Sequence, residues 1–434
     1  MEACDVIVVG AGIAGLGAAR KLAARGRRVL ILEARDRLGG RIHTERLPGW
    51  PAPIELGAEF IHGGNAALSA ALRAAKIGRR PCPENHWLVE DGICAPAPGA
   101  LERIDAAMRR IGPRTRGSFA AWLRRYRGQL SAPDRALLEG FVQGFEGAPP
   151  ERMSAHSLYQ AAVAGEGAQW RPGAGGYSRL VEALRRSWPK TSVELHLGQP
   201  VTAVAWRRGQ VRVATADGHS WEARAVLLTL PLGVMKLTAA QGGVKFDPPL
   251  RERDRLLRRL ESGHTVRLAL RLRSDAWQRG PIPAPLRAEG GRQFGFLHST
   301  QRCFPVWWSE APRPVLVGWM GGPAAAALAG ASPAQIYEHG LSTLGNLFKA
   351  PRAALDRLVL DYRVHDWSAD PYTRGSYSFS VAGQEDAPRR LGRSIAGTLY
   401  FAGEATADPL ELGTVHGALT TGERAAREIL RRGR

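Results

Sequence analysis

The chain has 434 residues and a formal net charge of +20, an excess carried almost wholly by arginine, since the lysines are only Lys21, Lys76, Lys190, Lys236, Lys245 and Lys349. That length allows two domains with substantial cores. No apolar run is long enough to span a bilayer, and arginines scattered from end to end, with no basic tail or aromatic-interleaved patch, argue against a nucleic-acid partner.

The first apolar stretch, Val6 to Ala19, is interrupted by four glycines and does not read as a signal peptide. A soluble, cytoplasmic protein is therefore expected, with its cysteines reduced. Cys4, Cys82, Cys94 and Cys303 have no CxxC or zinc spacing, so no metal site is expected. Only Cys82 and Cys94 are placed to pair across a loop.

In chain order, Asp5-Val-Ile-Val-Val9 is a continuous apolar run, as expected of a strand buried on both faces. A glycine loop follows, then helical periodicity over Ala14–Ala24 and a second strand, Arg28–Glu33, which together make a βαβ unit. From Asn65 to about Trp188 the pattern turns helical, with segments near 66–75, 101–111, 119–126, 134–144, 154–163 and 177–188. This stretch reads as a helical insertion. Strand patterns return at Val193, Val201–Ala205, Val211–Thr215 and Ala225–Thr229. A second mixed region has strands near 266–272, 293–298, 306–308 and 315–319 and helices from Pro323 to Phe348. The chain closes with a buried strand, Thr398–Ala402, and a helix over Val415–Arg432. The expected class is α/β: a Rossmann-type dinucleotide-binding domain (1–64, 190–245 and 385–434) interleaved with an α+β substrate domain that carries the helical insertion (65–189 and 246–384).

Gly10-Ala-Gly12-Ile-Ala14-Gly15 lies between the first strand and the first helix. The first glycine permits the tight turn, the second lets the backbone approach a pyrophosphate, and the third lets helix and strand pack closely. The start of the helix offers unpaired N–H groups to the phosphates. Glu33, roughly 20 residues on, stands where an acid binds ribose hydroxyls and disfavours a 2′-phosphate. The fingerprint alone does not separate FAD from NAD. The following Glu33-Ala-Arg35-Asp-Arg-Leu-Gly-Gly40-Arg41 adds a second glycine pair, with an arginine able to fork onto a diphosphate.

With this block the sequence resembles the flavin amine oxidase family: monoamine oxidases, polyamine oxidases and lysine-specific histone demethylases. The resemblance continues through Ile54–Gly63, Gly175-Gly-Tyr177, Pro231–Lys236, Phe246–Leu250, Asp366–Tyr377, Phe401–Ala405 and Gly413–Ala418. It implies FAD, held non-covalently because no cysteine stands in the C-terminal flavin motif. It places Glu33 at the adenosine ribose, Ala14, Arg35 and Arg41 along the diphosphate, and Glu59, Phe60 and Trp367 near the flavin. Val201 falls at the adenine and Glu404 at the ribityl or phosphate portion. Thr414 and Val415 open a helix whose positive end would face the flavin.

The same resemblance implies oxidation of an amine, with O2 or another acceptor regenerating the cofactor. Of the two aromatic positions that flank the flavin in the family, Tyr377 matches one, whereas Thr414 occupies the other. His62 corresponds to a substrate-contacting histidine of some polyamine oxidases, and Glu59, Glu166 and Glu411 are candidate acids for a polyamine. Arg267 falls where the family carries a lysine. Strand alternation puts it opposite Val266, Leu268, Leu270 and Leu272, so it is either a solvated strand charge or a fork of donors beside the flavin that cannot deprotonate. Three readings stay open: an amine oxidase, a related flavin dehydrogenase or desaturase with a non-oxygen acceptor, and a flavin-bound scaffold without turnover.

Overall fold

Residues 6–9 and 29–32 are unbroken runs of Val, Ile and Leu, and every one of them is buried. They are the centre of a largely parallel sheet. In the computed structural model, which describes residues 4–432 except 84, 91, 166–168, 190, 278–280, 285, 287–294 and 311–312, Val29–Leu32 pairs with Cys4–Val9 on one side and Val193–His196 on the other. Cys4–Val9 pairs in turn with Ser220–Leu228, whose far end runs parallel to Leu399–Phe401. The sheet is extended by the antiparallel strands Gln210–Thr215 and Val201–Arg207 and by Lys245–Asp247. Helices Ile13–Ala23 and Val415–Arg432 pack together on one face, and Leu16, Leu22, Leu419 and Ile429 share a core with Val6, Val8 and Ile31. This is the expected Rossmann-type architecture, with strands from the start, middle and end of the chain in one sheet.

A second sheet of seven strands is ordered Val359–Asp366, Thr265–Leu272, Val315–Gly321, Val306–Ser309, Phe296–Ser299, His86–Glu90, Ile93–Pro96. The expected strand start at Gln293 lies outside the described residues. Helix Pro333–Phe348 covers one face, where Leu268 and Leu270 meet Leu341 and Leu344. The opposite face is covered as well: Ala269, Trp308, Val315 and Val317 pack on Trp50, Ile54 and Leu56. Period-2 alternation gave the two faces correctly. It did not reveal that both are buried, and the reading of Arg267 as a solvated charge fails for that reason.

The region from 65 to 188 is not wholly helical. Its helices Ala66–Ala74, Phe119–Arg125, Ala132–Gly144 and Ala155–Ala164 start at Asn65, Ser118, Ser131 and Ser154. Each of these residues accepts a hydrogen bond from the third backbone amide along. Between them, however, Arg79–Pro81 and Gln169–Pro172 form a small sheet with Ile61–His62, and the 86–96 hairpin completes the second sheet. The hairpin returns through Gly92, whose φ of 75° is the left-handed conformation that favours glycine in a tight turn. All four cysteines are free thiols, Cys82 and Cys94 included. Among the described residues no helix is long and apolar enough to cross a membrane, and no cluster of potential metal ligands is found.

Candidate active site

A cavity of about 1470 Å³ begins at the Gly10–Gly15 turn and ends among aromatic side chains of the second sheet. It exceeds the roughly 300–1,000 Å³ of a pocket for one drug-sized ligand. Every residue singled out from the sequence as a cofactor or catalytic candidate lines it, apart from Gly15, Glu166 and the spacer positions of the motifs. Glu166 lies outside the described residues. No cysteine is among the lining side chains.

At the nucleotide end, two glycines are explained by different causes. A Cβ on Gly15 would sit 2.1 Å from the Gly10 carbonyl oxygen, so close packing of turn and helix demands glycine there. A Cβ on Gly12 would meet only the Gly39 carbonyl at 4.0 Å. Protein packing therefore leaves Gly12 free, and its bare backbone opens onto the cavity. Gly12 also starts helix Ile13–Ala23 without any side-chain cap, leaving the first N–H groups of the helix for another acceptor. A dinucleotide diphosphate fits such a cradle. Glu33 is buried beside it and accepts from the Ala11 and Arg35 amides at 2.6 and 3.0 Å.

The arginines of the glycine-rich block tie this end to distant segments. Arg35 donates to Asp370 (2.5 Å) and Thr373 (2.8 Å) and lies over the Tyr372 ring. Arg37 donates to the carbonyls of Gly40 and Ile42, holding the Gly39-Gly40 turn in shape. Arg41 donates to the Ser376 carbonyl and to Glu404 at 2.7 Å. The Glu404 carboxylate also accepts from the Ser378 amide and hydroxyl and from the Gly413 amide. Its oxygens thus bracket three loops around the middle of the cavity rather than standing free. Thr414 is likewise engaged: it accepts from the Gly417 amide at 2.9 Å and donates to the Glu411 carbonyl at 2.7 Å. It is the N-cap of the last helix, whose first residues, Val415 and His416, face the cavity.

The inner end contains a buried charge cluster. Arg267 is 1% exposed and Glu59 4%. The two form an ion pair through Oε2 of Glu59, and Oε1 accepts from Arg171 Nε at 2.6 Å. Burial opposes the charge on Glu59, but the two guanidiniums prevail and hold its carboxyl below the usual range. Both oxygens are spoken for, so Glu59 is not a free acid for an amine. The Arg267 guanidinium also lies 5.2 Å from the Trp308 ring centroid. Its Nε–H is buried with no protein acceptor.

Aromatic rings line the remainder. Tyr377 donates to the Phe145 carbonyl at 2.6 Å, and burial pushes its phenol up. His62 packs edge-on to Phe145, and burial followed by the neighbouring His416 pushes it down to about 4, so its ring is neutral near pH 7. Trp367 donates to the Leu56 carbonyl and packs on His365. Beyond Phe60 come Trp308, Phe296, His86 and His298, none of which stood out in the sequence. They sit on three strands, His86–Glu90, Phe296–Ser299 and Val306–Ser309, that are far apart in the chain, and no local pattern links them. Glu411, also on the wall, accepts from Asn65 at 2.7 Å, and burial raises its carboxyl.

The fold and the glycine cradle are those of a dinucleotide-binding protein, and the comparisons with known proteins specify its kind. The chain belongs to the flavin-containing amine oxidoreductase family, whose model matches residues 13–430. It is an FAD-dependent enzyme of that family. The human lysine-specific histone demethylase 2 is 27% identical over 98% of the chain and 53% of its own length, and polyamine oxidase 2 of Arabidopsis thaliana is 27% identical over 98% and 87%. The chain thus spans about half the length of the human and mouse histone demethylases it matches. A putrescine oxidase structure with bound putrescine superposes with a TM-score of 0.78 at 22% identity, covering 99% of both chains. Cyclohexylamine oxidase from Brevibacterium oxydans gives 0.78 at 21%, also covering 99% of both. At that identity the two structures speak for the fold.

Proposed function

We propose that the protein oxidises the carbon–nitrogen bond of an amine to an imine and passes the electrons to O2. The observation that carries this reading is the single cavity joining the Gly12 cradle to an aromatic chamber through the Arg41–Glu404 bracket. It leaves room for a cofactor and a substrate end to end. The division into cofactor-binding segments 1–64, 190–245 and 385–434 and substrate segments 65–189 and 246–384 belongs to the same proposal.

When bound, FAD supplies the two-electron sink for oxidation of the carbon next to nitrogen. In this reading the Gly10–Gly15 turn and the start of the first helix hold the diphosphate, Glu33 the ribose and Val201 the adenine. Arg35 and Arg41 stiffen the diphosphate loop from their anchors on Asp370 and Glu404, and the bracket at Glu404 fixes Ser378 and Gly413 around the ribityl chain. The N-terminus of the last helix, capped by Thr414 and continued by Val415, places its positive end where charge develops on reduction. Glu59 and Phe60 set the inner wall with Arg267 and Trp367, while Tyr377 and His62 shape an apolar slot that excludes water from the amine. The flavin is non-covalent in this reading, supported by the absence of cysteine from the lining.

Arg267 favours a second reading on a specific ground. Where the family resemblance implies a lysine, which can lose its proton, this chain has a guanidinium pinned to Glu59. A non-oxygen electron acceptor would suit such a site. Anaerobic titration of the purified holoenzyme with amines, followed by admission of air, separates the readings. Bleaching of the flavin band and stoichiometric peroxide are expected. Bleaching without peroxide assigns the chain to the dehydrogenase reading, and no bleaching by any amine refutes amine oxidation.

A further inference from the structure

One wall of the chamber is helix Ala132–Gly144, from which Leu137, Phe141 and Gln143 line the cavity. Glycines at 140 and 144 make its last turns intrinsically weak. That end is held from outside. The carbonyls of Phe141 and Val142 accept from the Phe145 and Ala148 amides at 2.8 and 3.2 Å. Those of Gly144 and Phe145 accept from side chains instead: from the Trp319 indole N–H at 2.8 Å and the Tyr377 hydroxyl at 2.6 Å. Both rings line the cavity.

The fit around this helix end is close. A Cβ on Gly321 would lie 2.5 Å from the Gln143 carbonyl oxygen and 2.8 Å from that of Gly144, so the helix end is seated directly on the end of strand Val315–Gly321. Trp319, on the same strand, is the cross-strand neighbour of Arg267. Its ring packs on Trp308, 6.3 Å between centroids, and the Arg267 guanidinium lies over that same Trp308. On the helix side, Phe145 stacks on Phe141 at 4.9 Å and meets His62 edge-on at 5.4 Å. The carbonyl that Trp319 holds therefore stands one residue before the ring that packs against His62.

We propose that Trp319 is a positioning residue: through its indole N–H it fixes the last turn of this helix, and Phe145 with it, against the second sheet, and so sets the alignment of the amine in the slot shaped by Phe145, His62 and Tyr377. The consequence for the amine rests on the amine-oxidising reading above, whereas the tie itself does not. A displaced wall misaligns the reacting carbon, which costs rate more than affinity.

Trp319→Phe keeps an aromatic ring and deletes the donor, and Trp319→His keeps a ring N–H. In the holoenzymes, hydrogen exchange at the amides of residues 141–146 should quicken by about fivefold or more in Trp319→Phe, and by less in Trp319→His. Anaerobic stopped-flow with hexylamine and phenethylamine should show the limiting rate of flavin reduction lowered by about tenfold in Trp319→Phe, with the apparent Kd of the amine changed by less than about threefold and part of the rate restored in Trp319→His. Tyr377→Phe releases the second tie, and the double variant should lose more than the product of the single losses, because each tie holds the helix end when the other is cut. Unchanged exchange in Trp319→Phe overturns the tie. Faster exchange with an unchanged limiting rate, or losses that simply multiply, overturns the positioning role and leaves amine oxidation intact. If no amine reduces the wild-type flavin, the functional reading falls, and the exchange measurement still decides the tie. Should Trp319→Phe not fold, the wild-type exchange profile decides: protection carried undiminished to Phe145 is expected, and a frayed last turn overturns the tie.

Discussion

The two ends of the cavity are built from different materials. At the nucleotide end, backbone does the work: a glycine turn, an uncapped helix start and loops held open by Arg37 and Arg41. At the amine end, side chains from the 86–90, 265–272, 296–299 and 306–309 strands converge, and a three-residue ion cluster takes the place of free acids. A backbone site tolerates little change in residue size but is indifferent to most neighbouring chemistry. A side-chain site can be retuned by one charge. The same scaffold can thus keep its cofactor while its substrate varies.

That contrast can be broken most sharply at two neighbouring glycines. Gly15→Ala should abolish flavin binding and lower stability severely, because its Cβ would fall 2.1 Å from a backbone oxygen that cannot move aside. Gly12→Ala should leave the apoprotein melting temperature unchanged but weaken FAD binding, since the added methyl touches only the space a diphosphate would occupy. Thermal melts of the apoproteins and flavin fluorescence titrations check both. If Gly12→Ala melts as early as Gly15→Ala, the cradle is a packing feature.

At the other end, Arg267→Leu should cost about 3–5 kcal/mol of stability by removing one partner of a buried pair. A change below about 1 kcal/mol in denaturant unfolding would mean that the Glu59 cluster is already compensated without it.

A smaller effect separates structure from chemistry. Glu55 is buried behind the cavity, accepting from Thr44 and the Tyr177 amide, and desolvation raises its carboxyl to about 7. A folded-state pKa above the unfolded value means that its stabilising contribution is complete below about pH 4.5 and is lost as pH rises through 7. Glu55→Gln should therefore remove a decline on the order of 2 kcal/mol between pH 5 and 8, read by denaturant unfolding at both pH values. An unaltered pH dependence would show that the carboxyl is not the titrating group. The smallest change is expected from Thr414→Ala, which deletes the cap of the last helix at about 1 kcal/mol. Its melt should shift slightly while flavin binding persists; loss of flavin would give the hydroxyl a role beyond capping.

Much of the nucleotide end was legible because its determinants are contiguous. Gly10, Gly12 and Gly15 lie within one turn, Glu33 follows directly after the adjacent strand, and Arg41 is eight residues further on. The start of the final helix was legible as well, since the GTVHGA turn and the amphipathic run after it are both local. The 86–96 hairpin was hidden by the helical segments around it. Arg267 could be placed on its strand and opposite the correct neighbours, yet its burial could not be read, because what covers that face comes from Trp50, Ile54 and Leu56 more than two hundred residues earlier.

The sequence by itself determined the βαβ unit, the FAD-binding signature and the order of strands and helices at the two termini, where short-range pattern and backbone geometry carry the information. Only the tertiary structure decided that Glu59 is clamped between two arginines, that Glu404 and Thr414 spend their oxygens on protein donors, and that His86 and His298 meet. Those outcomes depend on which distant side chains come within hydrogen-bond reach once both faces of the second sheet are covered. Desolvation then makes each charge pair or remain neutral, and no spacing along the chain encodes that choice.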